Sequence, residues 1–170
     1  AHILQCAGMG TLVFDLLANG ERTSSGIGED LDLLSDRFIS ACEWLGHVDM
    51  AQGLPLGAFG SSSGAAVALQ SAGRAPRLFT AIVSRGGRPD LVMPWLPLVT
   101  APTMFIVGAN DTAVLAWNQR AAQRMRCPHH VEIVPGAGHL FEEPGALPHV
   151  ARLAQSWFSR QFATVRSEEH

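Results

Sequence analysis

The run Leu54-Pro55-Leu56-Gly57-Ala58-Phe59-Gly60-Ser61-Ser62-Ser63-Gly64-Ala65-Ala66-Val67-Ala68-Leu69 sets an apolar strand candidate, a Gly-Ser-Ser-Ser-Gly turn and an Ala-rich helix in immediate succession. The turn fits G-x-S-x-G with Ser62 at its centre. A chain that leaves a strand and enters a helix across so short a turn must bend sharply. The central serine is then left exposed in a strained backbone conformation. Glycines are expected where the turn packs against neighbouring backbone and a side chain would collide. The helix behind Ser62 aims its unpaired N–H groups and the positive end of its dipole at any negative charge developing there. Gly/Ser runs are common in plain turns, and the strand before and helix after set this one apart.

The rest of the chain alternates strand and helix around that turn. Ala1–Cys6 reads as the last turns of a helix stopped at Gly8. Thr11–Leu17 (TLVFDLL), almost continuously apolar, is a strand candidate. Asn19–Gly28 is a polar Gly/Ser loop. Glu29–Leu45 carries Leu31, Leu34, Phe38, Ala41 and Leu45 on one helical face, with an acidic first turn (Glu29, Asp30, Asp32) and Gly46 at its end. The helix after Ser62 ends near Gly73. Leu78–Ser84 and Thr103–Val107 are buried strands, separated by a Pro- and Gly-rich loop over Arg85–Pro102. The next helix is expected to bury Val114, Trp117, Ala121 and Met125. His130–Val134 is a strand, and a last helix opens at Pro144 or Gly145 with Leu147, Val150, Ala154, Trp157 and Phe158 on one face. This order implies an α/β fold: a mostly parallel sheet with helices on both faces. With 170 residues it is expected to form one domain spanning 1–170.

A net charge of −3 and a pI near 6.1 carry no basic footprint for nucleic acid or a membrane surface. Cys6, Cys42 and Cys127 are dispersed with no C-x-x-C spacing, which argues for reduced thiols and a cytoplasmic setting. No apolar run approaches the length of a membrane span. Gly8-Met9-Gly10 precedes its strand, whereas a dinucleotide fingerprint follows one. Gly26-Ile27-Gly28 precedes a helix whose acidic first turn would repel a phosphate. Cys127, His129 and His130 lack the second cluster that a metal site needs, and no metal or cofactor is expected.

In a parallel α/β sheet, functional groups collect beyond the C-terminal strand ends. Three loops there carry a serine, an acid and a histidine in that order. Ser62 is the candidate nucleophile, His139 the candidate base, and Asp111 the candidate acid that orients the imidazole. Each has a plainer role open to it. Asp111 also suits an N-cap of the following helix, and His139 an ordinary polar loop. Asp90 is a rival acid, but the short, fixed loop after the Thr103 strand favours Asp111. His129, His130 and His149 sit in a strand or helix pattern and are weaker bases. Arg85, in Arg85-Gly86-Gly87-Arg88, could hold an anionic substrate group or be a solvated turn. Trp95, with Met93 and Leu96, could wall an acyl pocket or pack in the core.

These motifs resemble the α/β-hydrolase superfamily, specifically its short dienelactone-hydrolase-like branch without a large cap domain. The marks are LPLGAFGSSSGAAVAL around Ser62, VSRGGRPDL from Val83, FIVGANDTAV around Asp111 and VPGAGHLFEEPGAL around His139. The resemblance implies a hydrolase working through Ser62, Asp111 and His139, with the Ser63 N–H as one oxyanion-hole donor. Dienelactone hydrolases proper use a cysteine nucleophile; Ser62 at that position favours small carboxylic esters or lactones as substrates. Relatives of this kind occur as single hydrolases and fused to a phosphoribosyltransferase domain, of which this sequence carries no signature. The resemblance also implies strands and a second oxyanion donor ahead of Ala1. Three readings stay open: a fragment of a longer enzyme, a minimal enzyme using the Asn19–Ile27 loop, or a homodimer completing the sheet. The competing function is a catalytically silent or partner-dependent binding module of the same fold.

Overall fold

The computed structural model describes residues 1–18, 21 and 30–168. Its elements are α1 (His2–Cys6), α2 (Leu31–Leu45), β1 (Gly57–Ser61), α3 (Ser63–Arg74), β2 (Ala81–Arg85), β3 (Thr103–Gly108), α4 (Thr112–Ala122), β4 (His129–Val134) and α5 (Ala146–Glu168). Two short 3-10 turns, Pro89–Val92 and Leu96–Leu98, punctuate the long connection between β2 and β3. The four strands lie side by side in chain order, and every pairing is parallel.

Alternation along the strands divides the interior. Ile82 and Phe105 face one side; Val83, Met104 and Ile106 face the other. Each connection steps to the next strand in the same direction, and a shared handedness keeps its helices on one face. There α3 and α4, with α2 outside them, cover Leu69, Phe79, Leu96, Phe105 and Ala121. The second face is roofed by α5, which lays Val150, Ala154, Trp157 and Phe158 over Val83, Met104 and Ile106. Leu4 of α1 and Met9 fill in beside it. Every residue of β3 is buried, as expected of a strand covered on both faces.

Helix α3 is buried continuously from Ala65 to Gly73, because it lies between the sheet and α2. Its only large side chains there are Leu69, Gln70 and Val67, so the two helices approach closely. Polar pairs fix their alignment: Asp32 accepts from the Gln70 amide, and Asp36 pairs with Arg74. Asp30 caps α2 by accepting from the Leu33 N–H at 3.0 Å.

Four expectations need correction. Thr11–Leu17 forms no strand. Among the described residues nothing pairs with the outer side of β1, and the segment instead lies against α2. There Arg37 Nη1 donates to the Leu16 carbonyl at 2.9 Å, and the Phe14 ring stacks on Phe38 at 6.0 Å. Leu12, Val13 and Phe14 stay exposed, so this apolar run is neither paired as a strand nor buried along its length. The strand expected from Leu54 begins only at Gly57. Leu147 points outward at 46% exposure, while the rest of its predicted face is buried. In α4, Asn118 is fully buried and Trp117 only half-buried. The Asn118 amide nitrogen donates to the Gly87 and Val114 carbonyls, at 2.9 and 2.8 Å, while its Oδ1 is buried without a partner among the described residues. The polar loop over Asn19–Gly28, apart from Glu21, and Glu29 lie outside the described residues.

Candidate active site

The register places four chain segments on one edge of the sheet. Ser61 pairs with Arg85, Arg85 with Ile106, and Gly108 with Val134. Ser62, Gly86–Arg88, Ala109–Asp111 and Pro135–His139 therefore leave the strands side by side.

Ser62 has φ 52° and ψ −125°, a conformation L side chains rarely adopt. Its surroundings hold it there. The Ser62 N–H donates to the Arg85 carbonyl, and its own carbonyl accepts from the Arg88 N–H, both at 3.2 Å. Gly60 is required: a Cβ there would stand 2.5 Å from the Gly64 carbonyl oxygen. Gly64 differs from expectation, since a Cβ on it would meet nothing within 4 Å. It faces open space. Ser63 and Gly64 open α3, so their N–H groups have no acceptor within the helix.

Asp111 occupies the N-cap position of α4, yet its side chain makes no capping hydrogen bond. Its Oδ2 instead lies 2.6 Å from His139 Nδ1. Asp111 is the more enclosed partner, at 15% side-chain exposure against 40% for His139. Asp90 is taken up elsewhere, in a bidentate pair with Arg88 at 2.8–2.9 Å. Arg88 also lies 4.5 Å from the centre of the Trp117 ring.

The acid and histidine loops are tied together by backbone. Asn110 donates from its N–H to the Ala137 carbonyl and from its amide to the Gly136 carbonyl. At Gly108 a Cβ would stand 2.3 Å from the Ala137 oxygen, so only glycine allows this approach. Glu143 accepts from the Gly138 N–H at 2.8 Å, and Phe141, at φ 57° and 1% exposure, anchors the turn behind His139. Sequence reasoning did not single out Asn110, Phe141 or Glu143, although all three stand in the quoted motifs.

Among the described residues no hydrogen bond joins the Ser62 hydroxyl to His139. The connection runs through β2. Gly86 follows the Arg85 carbonyl that holds Ser62, and a Cβ on Gly86 would lie 3.6 Å from His139 Nδ1 and Cε1. The imidazole thus rests beside the strand end that also fixes the serine turn. Resting sites often leave the serine–histidine contact open until substrate arrives.

Arg85 and Trp95, the two candidate substrate contacts, pack their side chains against neighbouring elements. Arg85 turns toward the α5 face, its guanidinium 5.7 Å from the centre of the Phe141 ring, its Nε buried without a partner. Burial lowers its pKa from the ordinary arginine value. Trp95 packs against Gly73, where a Cβ would lie 2.8 Å from the Trp95 carbonyl oxygen. Gly73 is near the far end of α3 from Ser62. No group of three or more potential metal ligands occurs among the described residues. His129 and His130 pair separately, with the Cys127 carbonyl and Glu132.

Beside the serine turn lies an open cavity of about 550 Å³, bounded by residues 13–17, Leu34 of α2, and Ser63, Gly64 and Val67 of α3.

A parallel sheet flanked by helices, with a strained serine between strand and helix, defines an α/β-hydrolase-fold protein. Solved structures agree. A dienelactone hydrolase from Anabaena variabilis superposes with a TM-score of 0.91 at 43% identity, over 94% of this chain and 76% of its own. Est1E from Butyrivibrio proteoclasticus shares the fold at a TM-score of 0.67 and 12% identity, over 78% of this chain and 71% of its own. The profile of the dienelactone hydrolase family matches residues 18–168, and this chain belongs to that family. It is also 46% identical over 158 residues to a Mycobacterium tuberculosis protein provisionally named a phosphoribosyl transferase. That match covers 93% of this chain but only 36% of the relative's length. No described helix is long and apolar enough to cross a membrane.

Proposed function

We propose that this chain is a serine hydrolase of small carboxylic esters or lactones, working in the cytoplasm with no cofactor or metal. The observation that carries the reading is the Asp111 carboxylate. It leaves its helix uncapped and turns to His139 Nδ1 at 2.6 Å, on the sheet edge where Ser62 is held at φ 52°.

In this mechanism the Ser62 hydroxyl oxygen attacks the substrate carbonyl carbon while its proton passes to His139 Nε2. Asp111 accepts from Nδ1–H, fixing the tautomer and stabilising the imidazolium. The Ser63 N–H, at the positive end of α3, donates to the developing oxyanion. Collapse breaks the bond to the leaving oxygen, which takes the proton from His139 and departs as the alcohol. Water then attacks the Ser62 acyl group, His139 takes and returns a proton, and the carboxylic acid leaves. A lactone follows the same course, with alcohol and acid on one product. The transferase name of the M. tuberculosis relative is not carried over, since the match spans only about a third of that protein.

The deciding measurement is intact-mass analysis after exposure to a fluorophosphonate. One covalent adduct on the wild type, absent in Ser62→Ala, is expected. An unlabelled wild-type chain would sink the reading and favour the second one, a catalytically silent or partner-dependent module. That alternative is motivated by the outer side of β1, with which no described strand pairs.

A further inference from the structure

We propose that the cavity beside the serine turn is an acyl pocket for uncharged, apolar acyl groups, walled by the segment over residues 13–17. The inference rests on the hydrolase reading and adds the substrate class. The cavity adjoins the nucleophile turn: Ser63, the residue after Ser62 and the proposed oxyanion donor, lines it. Gly64, two residues past the nucleophile, keeps the floor open, since a Cβ there would meet nothing within 4 Å. The apolar walls are Val13, Phe14, Leu16, Leu17, Leu34 and Val67; Asp15 also lines the cavity, its Oδ1 accepting from the Leu17 N–H at 3.0 Å. A volume of about 550 Å³ lies within the usual range of small-molecule sites. No basic side chain lines it among the described residues. Arg85 and Arg88, the nearby basic candidates in sequence, are drawn to Phe141 and Asp90. A substrate carboxylate in the cavity would exchange water for mostly apolar contacts, whereas an alkyl chain gains from them.

The wall is also held in place. Arg37 grips the Leu16 carbonyl and pairs with Glu21 through two N–H groups at 2.6 and 2.8 Å. The Phe14 ring stacks on Phe38, which stacks on Phe79 of the core. The segment read from sequence as a strand therefore serves as a strap across the start of α3.

Binding tests the pocket separately from catalysis. In Ser62→Ala, hexanamide is expected to shift the methyl NMR signals of Leu16, Leu17, Leu34 and Val67. Adipic acid monoamide, equal in length but ending in a carboxylate, is expected to bind at least about tenfold more weakly. Gly64→Val, which fills the floor, should weaken hexanamide binding by a similar factor. In the active chain, kcat/KM for p-nitrophenyl esters should rise about threefold per added methylene from acetate to hexanoate. Absent methyl shifts, tighter binding of the anionic amide, or hexanamide binding unaffected by Gly64→Val would each overturn the pocket. A fluorophosphonate adduct on Ser62 obtained alongside any of these would leave the hydrolase reading standing.

Discussion

Ser62 and Phe141 are the two non-glycine residues with positive φ among those described. Such conformations cost on the order of 1–3 kcal/mol each and persist only where the surroundings enforce them. At Ser62 the enforcing contacts are the Arg85 carbonyl and the Arg88 N–H; at Phe141 it is burial beneath Arg85. Arg85, read from sequence as a possible anion holder, thus steadies the histidine turn from behind. Asp111 is the residue whose two candidate roles the coordinates separate. Since its carboxylate caps no N–H of α4, Asp111→Asn is expected to cut kcat by roughly 10³- to 10⁴-fold through loss of the imidazole tautomer. The urea midpoint should barely move. Steady-state kinetics beside a urea titration checks both, and a large loss of stability with activity retained would return Asp111 to the capping role.

At the scale of elements, legibility followed locality. The Ser62 turn and the loops of Asp111 and His139 could be read because each is a short motif at the end of an apolar strand, and a parallel sheet gathers such ends. What needed a tertiary partner could not be read. Thr11–Leu17 has the composition of a strand but no ladder to join. Trp95 is apolar in either of its two roles, and only its seat against Gly73 selects the core. Asn118 is not among the residues expected to be buried in α4, and its acceptor, the Gly87 carbonyl, comes from a distant loop. The strap over residues 13–17 makes its own prediction. Hydrogen bonding from Arg37, aided by the Ala18 N–H, holds the Glu21 carboxyl at about 2 against an ordinary 4.5. A depressed pKa means the unfolded chain takes up the proton first. The contribution is complete above about pH 4.5 and fades as pH falls toward 2. Protection factors for hydrogen exchange across residues 11–18, corrected for the intrinsic rate at each pH, should fall over that window in the wild type. In Glu21→Gln they should already be low at neutral pH, and because the pair meets solvent, salt should weaken the effect.

For the whole molecule, the two sheet edges are unlike. β4 carries His130 hydrogen-bonded to Glu132 on its exposed side, a polar edge that discourages further pairing. β1 presents Phe59 at 44% exposure, with no described strand beyond it. We propose that this edge is where a second copy would complete the sheet. Sedimentation velocity should then show a concentration-dependent dimer that Phe59→Lys weakens at least about tenfold. A monomer at every concentration would remove the proposal.

The roofing of the second face by α5 has a consequence for synthesis. Strands arrive in spatial order, so β1 to β4 can add one to the next as they emerge, with α3 and α4 covering one side as it forms. The other side waits. Val83, Met104 and Ile106 find most of their cover in Val150, Ala154, Trp157 and Phe158, all C-terminal to every strand. Until that helix has cleared the ribosome, the second face of the sheet lacks most of its cover. The nascent chain is therefore most dependent on chaperones in the interval between β4 and the end of α5.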